Sequence, residues 1–167
     1  MYKMRPVLCI LFILLLVPSI ASAQWGIGPG AFLKSPGLAG QPIDLDQMNV
    51  NQSAFGGVVR YRFGWMHAQA LGLYSVGEVN SLDLFLDVGG AFDIRMLSVS
   101  VGTGPYFSRN FDGNPSMQTG VNGRIGADLR LGSITIGTSY IMAINIRNGI
   151  NLKSSTGLFG THILIWL

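Results

Sequence analysis

Cysteine is missing from all but the first few residues of the chain, where Cys9 is the only one. A protein without further thiols builds no disulfide framework and offers no thiolate as nucleophile or metal ligand. Charge is scarce as well. Asp, Glu, Lys and Arg make up 11% of the residues, against about 25% in an ordinary soluble domain, and Glu78 is the only glutamate. A water-facing exterior carries far more Lys and Glu than this, which argues against a soluble barrel with an apolar lumen. Beyond residue 23 no segment approaches the roughly 18 continuous apolar residues of a transmembrane helix. Clustered basic residues are absent too: Lys34 and Lys153 are the only lysines after residue 23, so a nucleic-acid surface is not indicated. Few charges, no long apolar run and 23 glycines point to strands that alternate a lipid-facing and a polar face.

The segment 1–23 is expected to be a cleaved signal peptide. Lys3 and Arg5 give a positive start, Val7 to Val17 is apolar throughout, and Ala21-Ser22-Ala23 supplies the small residues of a cleavage site. The apolar run is too short to span as a helix. Cys9 lies before most of it and lacks the small residues that precede a lipidated cysteine. Removing this segment leaves nine basic against eight acidic residues, so the high calculated pI overstates the basicity of the folded part. Residues 24–167 are expected to form one domain.

What the chain does have is alternation. In Gly120 to Ile146 (GVNGRIGADLRLGSITIGTSYIMAINI) the polar residues Asn122, Arg124, Asp128 and Arg130 share one parity, with Val121, Ile125, Leu129 and Leu131 on the other. After Gly132-Ser133 the pattern resumes with Ile134, Ile136, Tyr140, Met142, Ile144 and Ile146. Side chains in a strand alternate faces, so two such runs about a Gly-Ser pair predict a tight hairpin. The same pattern predicts strands at 25–33, 54–63, 65–76, 81–92, 96–106 and 156–167. Pro29 in the first cannot donate to a ladder, so a bulge or weakened pairing is expected there. The connections at Gly64, at Asp93 to Arg95 and at Gly132-Ser133 are tight. Those at 34–53, 77–80, 107–116 and 148–155 are longer, the first with a short helical turn expected near Asp44 to Met48.

Eight strands with short turns at one end and long loops at the other form the layout of an outer-membrane barrel, both termini lying at the short-turn, periplasmic end. In that layout and in the C-terminal FGTHILIWL, where Phe159, Ile163, Ile165 and Leu167 share one parity, the chain resembles the small eight-stranded outer-membrane barrels, the class of the OmpA membrane domain and OmpX. The resemblance implies an all-β, antiparallel up-and-down transmembrane β-barrel in a bacterial outer membrane. It also implies contact with outer-membrane lipids and recognition of the last strand by the barrel assembly machinery, although Trp166 stands next to last where such chains usually end in Phe or Trp. Trp25, Tyr61, Phe63, Trp65, Phe92 and Trp166 fall at periplasmic strand ends and are expected to form an aromatic girdle.

The charged strand residues Arg60, Arg62, Asp83, Asp87, Arg124, Asp128 and Arg130 all lie opposite the apolar face. A charge on the lipid face at mid-bilayer costs roughly 2–4 kcal/mol, so this parity is expected to face inward, as a structural network of ion pairs filling the narrow lumen of eight strands. The alternative use of these charges is a narrow channel. A second alternative is lipid modification, but His67 and His162 fall near the periplasmic end, away from the loop-side Ser53, Ser108 and Ser116, and a general base must reach its reacting group. The histidines are expected to be interior fillers, and no enzymatic activity is expected. No cofactor or metal site is expected either. Asp44 and Asp46 lack the glycine and glutamate of a calcium loop, and Gly26, Gly28 and Gly30 do not join a strand to a helix. The expected role is structural or surface-interactive, a possible ligand being met through loops 34–53 and 107–116.

Overall fold

The computed structural model describes residues 24–36, 53–76, 80–111, 116–146 and 155–167. The expected signal segment and the Asp44 to Met48 turn lie outside them. Eight strands run in chain order: β1 (Gln24–Pro36), β2 (Ser53–Phe63), β3 (Met66–Ser75), β4 (Ser81–Ile94), β5 (Leu97–Asn110), β6 (Met117–Leu131), β7 (Ile134–Asn145) and β8 (Ser155–Trp166). Each pairs antiparallel with its neighbours and β8 closes on β1, giving a barrel without edges. Following paired residues round the ring from Gln24 (Arg62, His67, Gly89, Gly102, Arg124, Ile141, Leu158) returns to β1 at Lys34, ten residues further up the strand. A stagger of that size over eight strands tilts them by about 40° and narrows the interior to what side chains fill.

The three tight hairpins share one construction. Their first turn residues, Gly64, Arg95 and Gly132, have φ of 59°, 57° and 65°, the left-handed conformation that matches hairpin twist. The carbonyl of each second turn residue accepts a hydrogen bond from the strand that follows the hairpin: Trp65 from the Ala91 N–H, Met96 from that of Arg130 and Ser133 from that of Trp166, at 2.7, 2.7 and 2.8 Å. This tucks the turns into the sheet.

Three expectations need correction, and a fourth, at Pro29, is met in one of its two forms. Asp93 and Ile94 are not in a turn: they pair with Ser98 and Leu97, and the turn is Arg95-Met96, because Arg95 takes the left-handed φ. Phe107 to Asn110 are strand, not loop: all four pair with β4, and Phe107, Ser108 and Arg109 pair with β6 as well. Of the two outcomes expected at Pro29, a bulge or weakened pairing, the second is found. The β1–β8 register is the same before and after it, with the pairs at Gly28 and Pro29 missing. Trp166 does not join the girdle: its Nε1 donates inward to Thr135 Oγ1 at 2.8 Å. Trp25, Trp65 and Phe92 are exposed on the outer face, and Trp25 packs on Tyr61 with centroids 4.7 Å apart.

Outward positions are mostly apolar, with Ile27, Val59, Leu84, Val101, Ile125, Ile136 and Ile163 all exposed. A water-soluble protein does not display a belt of this kind. It matches the hydrocarbon layer of a bilayer.

Candidate functional site

The lumen is stacked in layers, each built from inward residues of several strands. At the short-turn mouth Arg62 donates to Asp93 Oδ2 at 2.7 Å and to the Gly64 carbonyl at 3.1 Å. Arg130 reaches the same Asp93 oxygen at 3.4 Å and Gln24 Oε1 at 3.3 Å, with its guanidinium 5.4 Å from the Trp166 ring. Two cations sharing one carboxylate leave an excess positive charge here. Asp93, with 38% of its side chain exposed, meets solvent, so the excess is hydrated.

Above the mouth lie two buried clusters built alike. Arg124 grips Asp87 with two nitrogens, Nε to Oδ2 at 3.1 Å and Nη2 to Oδ1 at 3.2 Å, and donates to Ser100 Oγ at 3.1 Å. His67 Nε2 lies against both members, 3.2 Å from Asp87 Oδ1 and in contact with Arg124 Nη2. In the other, Arg60 is paired with Asp128 and donates to Gln69 Oε1 at 2.7 Å. His162 Nε2 lies 3.0 Å from Asp128 Oδ1 and 3.2 Å from Arg60 Nη2. In each cluster one guanidinium is matched by one carboxylate, as burial requires.

Glycines make room for these clusters. A Cβ at Gly137 would collide with Asp128 Oδ1 and His162 Nε2, and one at Gly102 would stand 2.5 Å from Asp87 Oδ1.

Next comes a septum of apolar side chains. Val58, Leu71, Leu73, Phe85, Ile141 and Leu158 are each at most 2% exposed, and Tyr106 stacks on Phe85 with centroids 4.8 Å apart. Beyond it, towards the long loops, Asp83 accepts from Ser75 Oγ at 2.7 Å and Ser81 Oγ at 3.1 Å, with Lys34 Nζ at 3.9 Å.

All seven residues singled out by parity therefore point inward, but they do not form one network. Arg60, Asp87, Arg124 and Asp128 make the paired clusters, Arg62 and Arg130 belong to the mouth, and Asp83 is cut off from all of them by the septum. Parity alone missed Asp93, which looks like a turn residue, and Lys34, which looks like part of a loop. It also undervalued His67 and His162. Both share the inward parity, and each completes a cluster instead of filling space. The apolar septum escaped notice because an inward leucine on a mixed strand looks like noise. Among the described residues no group of three or more His, Cys, Asp or Glu side chains converges to hold a metal.

No family model matches the sequence, and no curated protein matches it either. Solved structures do match in fold. One is Neisserial surface protein A, 11% identical, with a TM-score of 0.59 over 86% of this chain and 97% of that one. Another is the N-terminal β-barrel domain of Pseudomonas aeruginosa OprF, 14% identical, with a TM-score of 0.56 over 85% and 97% of the two chains. The fold is that of the small eight-stranded outer-membrane barrels. At these identities the likeness covers backbone and topology alone. The paired clusters and the septum are therefore argued from this chain's own side chains.

Proposed function

We propose that the protein is an integral outer-membrane barrel with a closed interior. It serves the envelope structurally, or by surface interaction through the long loops after β1 and β5, and not as a pore or an enzyme. The observation that carries this reading is the septum. Six apolar side chains, none more than 2% exposed, leave no hydrated path between the charged clusters and the outer mouth. An ion crossing it would shed its water without gaining a ligand, which is prohibitive in a low-dielectric layer. The fold of the two structural neighbours and the apolar exterior support an outer-membrane address.

Planar-bilayer recording on the refolded protein tests the reading. Silence at applied voltage is expected. Well-resolved unitary openings that disappear in Arg124→Ala would overturn it in favour of a channel running past the paired clusters. Lipid modification gains no support: among the described hydrogen bonds His67 and His162 engage Asp and Arg partners below the septum. Mass analysis of lipid A from cells with and without the gene should show no difference.

A further inference from the structure

The outward face of the described strands carries a single charged side chain, Arg109, near the upper end of β5. Its orientation is fixed by its neighbours. Ser108 beside it is buried, whereas its paired residues Leu82 and Met117 are both exposed on the apolar belt. A cation on this face is costly at mid-bilayer and nearly free at the interface, so Arg109 marks the plane of the headgroups at the long-loop rim. Its guanidinium lies 5.9 Å from the Phe111 ring centroid, within cation–π range. No described carboxylate forms an ion pair with it. A guanidinium at that plane is matched by a phosphate, which it can bind through two parallel hydrogen bonds.

A second feature lies lower on the same face. A groove of about 380 Å³ runs between Leu86, Val88, Thr103 and Pro105, floored by the small side chains Ala68 and Ala70. Pro105 is four residues below Arg109, roughly 13 Å along the strand, with the exposed Leu84 between them. A lipid whose phosphate meets Arg109 can lay an acyl chain over Leu84 and into this groove.

We propose that the outer face of β3 to β5 binds one anionic, phosphorylated lipid, its phosphate on Arg109 and one acyl chain in the groove between Leu86 and Pro105. The proposal rests on the membrane-barrel reading above and adds to it a preferred lipid position. The remaining outward strand positions carry no charge to select a headgroup.

Native mass spectrometry of the refolded barrel, residues 24–167, tests it. The protein is titrated in zwitterionic micelles with dimyristoyl phosphatidic acid and with phosphatidylcholine of the same chains. One phosphatidic acid should be retained with roughly tenfold preference, a difference set by one charge-assisted contact. Arg109→Gln should bring the preference close to unity, and Arg109→Lys should keep part of it. Ala70→Leu, which fills the groove, should lower retention of the dimyristoyl lipid but not of dihexanoyl phosphatidic acid. Unchanged preference in Arg109→Gln would overturn the headgroup site. Displacement of the lipid by inorganic phosphate would show a bare anion site and overturn the acyl-chain part. Each variant is first run boiled and unboiled on a gel. A mobility shift establishes the folded barrel independently of lipid, and its absence in the unsubstituted protein would sink the membrane-barrel reading itself.

Discussion

At the scale of single residues, the charges inside this barrel are tied to partners that only the fold can bring together. Arg60 and Asp128 are 68 positions apart, and Arg60 and His162 are 102 apart. Removing one member strands its partner in a dry layer. Arg124→Ala is therefore expected to cost about 3–5 kcal/mol by leaving the Asp87 carboxylate without its guanidinium, with His67 as its one remaining described partner. Arg124→Met combined with Asp87→Leu should recover most of it, because an apolar pair needs no compensation. Urea unfolding in lipid vesicles, followed by tryptophan fluorescence, reads both. Equal losses in the single and double variants would show that the ion pair matters only as packing. The glycines beside the clusters give a second contrast. Gly137→Ala drives a methyl into Asp128 and His162 and should cost about 1–3 kcal/mol, as overpacking does. Gly123→Ala meets nothing within 4 Å and should be neutral or slightly stabilising. The same urea titration settles this, and equal effects at the two sites would refute the steric account. The inward direction of the seven charged residues was legible from parity. Which of them meet was not, because partners across the lumen depend on stagger and strand tilt, and those exist only once the ring is closed.

At the scale of the strand, β5 shows where composition misleads. Asn110 and the Asp-Gly-Asn run of 112–114 make the segment from Phe107 look like loop, yet β5 continues to Asn110, with partners on both sides as far as Arg109. What carries the strand past Pro105 is a side chain on its neighbour. The β4–β5 pairing stops at Phe85↔Tyr106 and resumes at Val88↔Thr103, since Pro105 has no N–H to give. Asn122 of β6 bridges the gap from inside. Its Nδ2 lies 3.1 Å from the Leu86 carbonyl, 3.1 Å from Gly104 and 2.9 Å from Pro105. An amide group has two hydrogens, so it serves these three acceptors by sharing. Asn122→Leu should thus cost about 1–3 kcal/mol, the penalty for buried carbonyls left unsatisfied. In a Pro105→Val background, where the ladder can supply its own N–H, the cost should fall to half or less. The double-mutant cycle measures the coupling directly. An additive result would mean that Asn122 acts without regard to the gap. The hairpins were easier to place from sequence, because each needs only a left-handed residue between two alternating runs. Arg95 was the exception, since an arginine gives no hint of a positive φ.

At the scale of the whole barrel, the lumen holds two barriers in series of opposite chemistry. The paired clusters obstruct by filling space with neutralised charge, and the septum obstructs by excluding water. Barriers in series are governed by the higher one, so weakening either alone leaves the other in control. Replacing Leu71, Leu73 and Ile141 together by serine should hydrate the upper lumen yet leave the bilayer silent, because Arg60, Arg124 and their carboxylates still close the section below. Replacing Arg60, Asp87, Arg124 and Asp128 by alanine should also leave it silent, because the septum is intact. Only the combination is expected to pass ions, and each of the three proteins must first show the boiled-versus-unboiled gel shift of a folded barrel. Unitary openings from the serine variant alone would mean that the paired clusters form an occupied ion path and not a plug. Openings from the alanine variant alone would mean that the septum parts under voltage. Either outcome would move the protein from the closed barrels to the gated ones, with the controlling layer identified by which variant conducts.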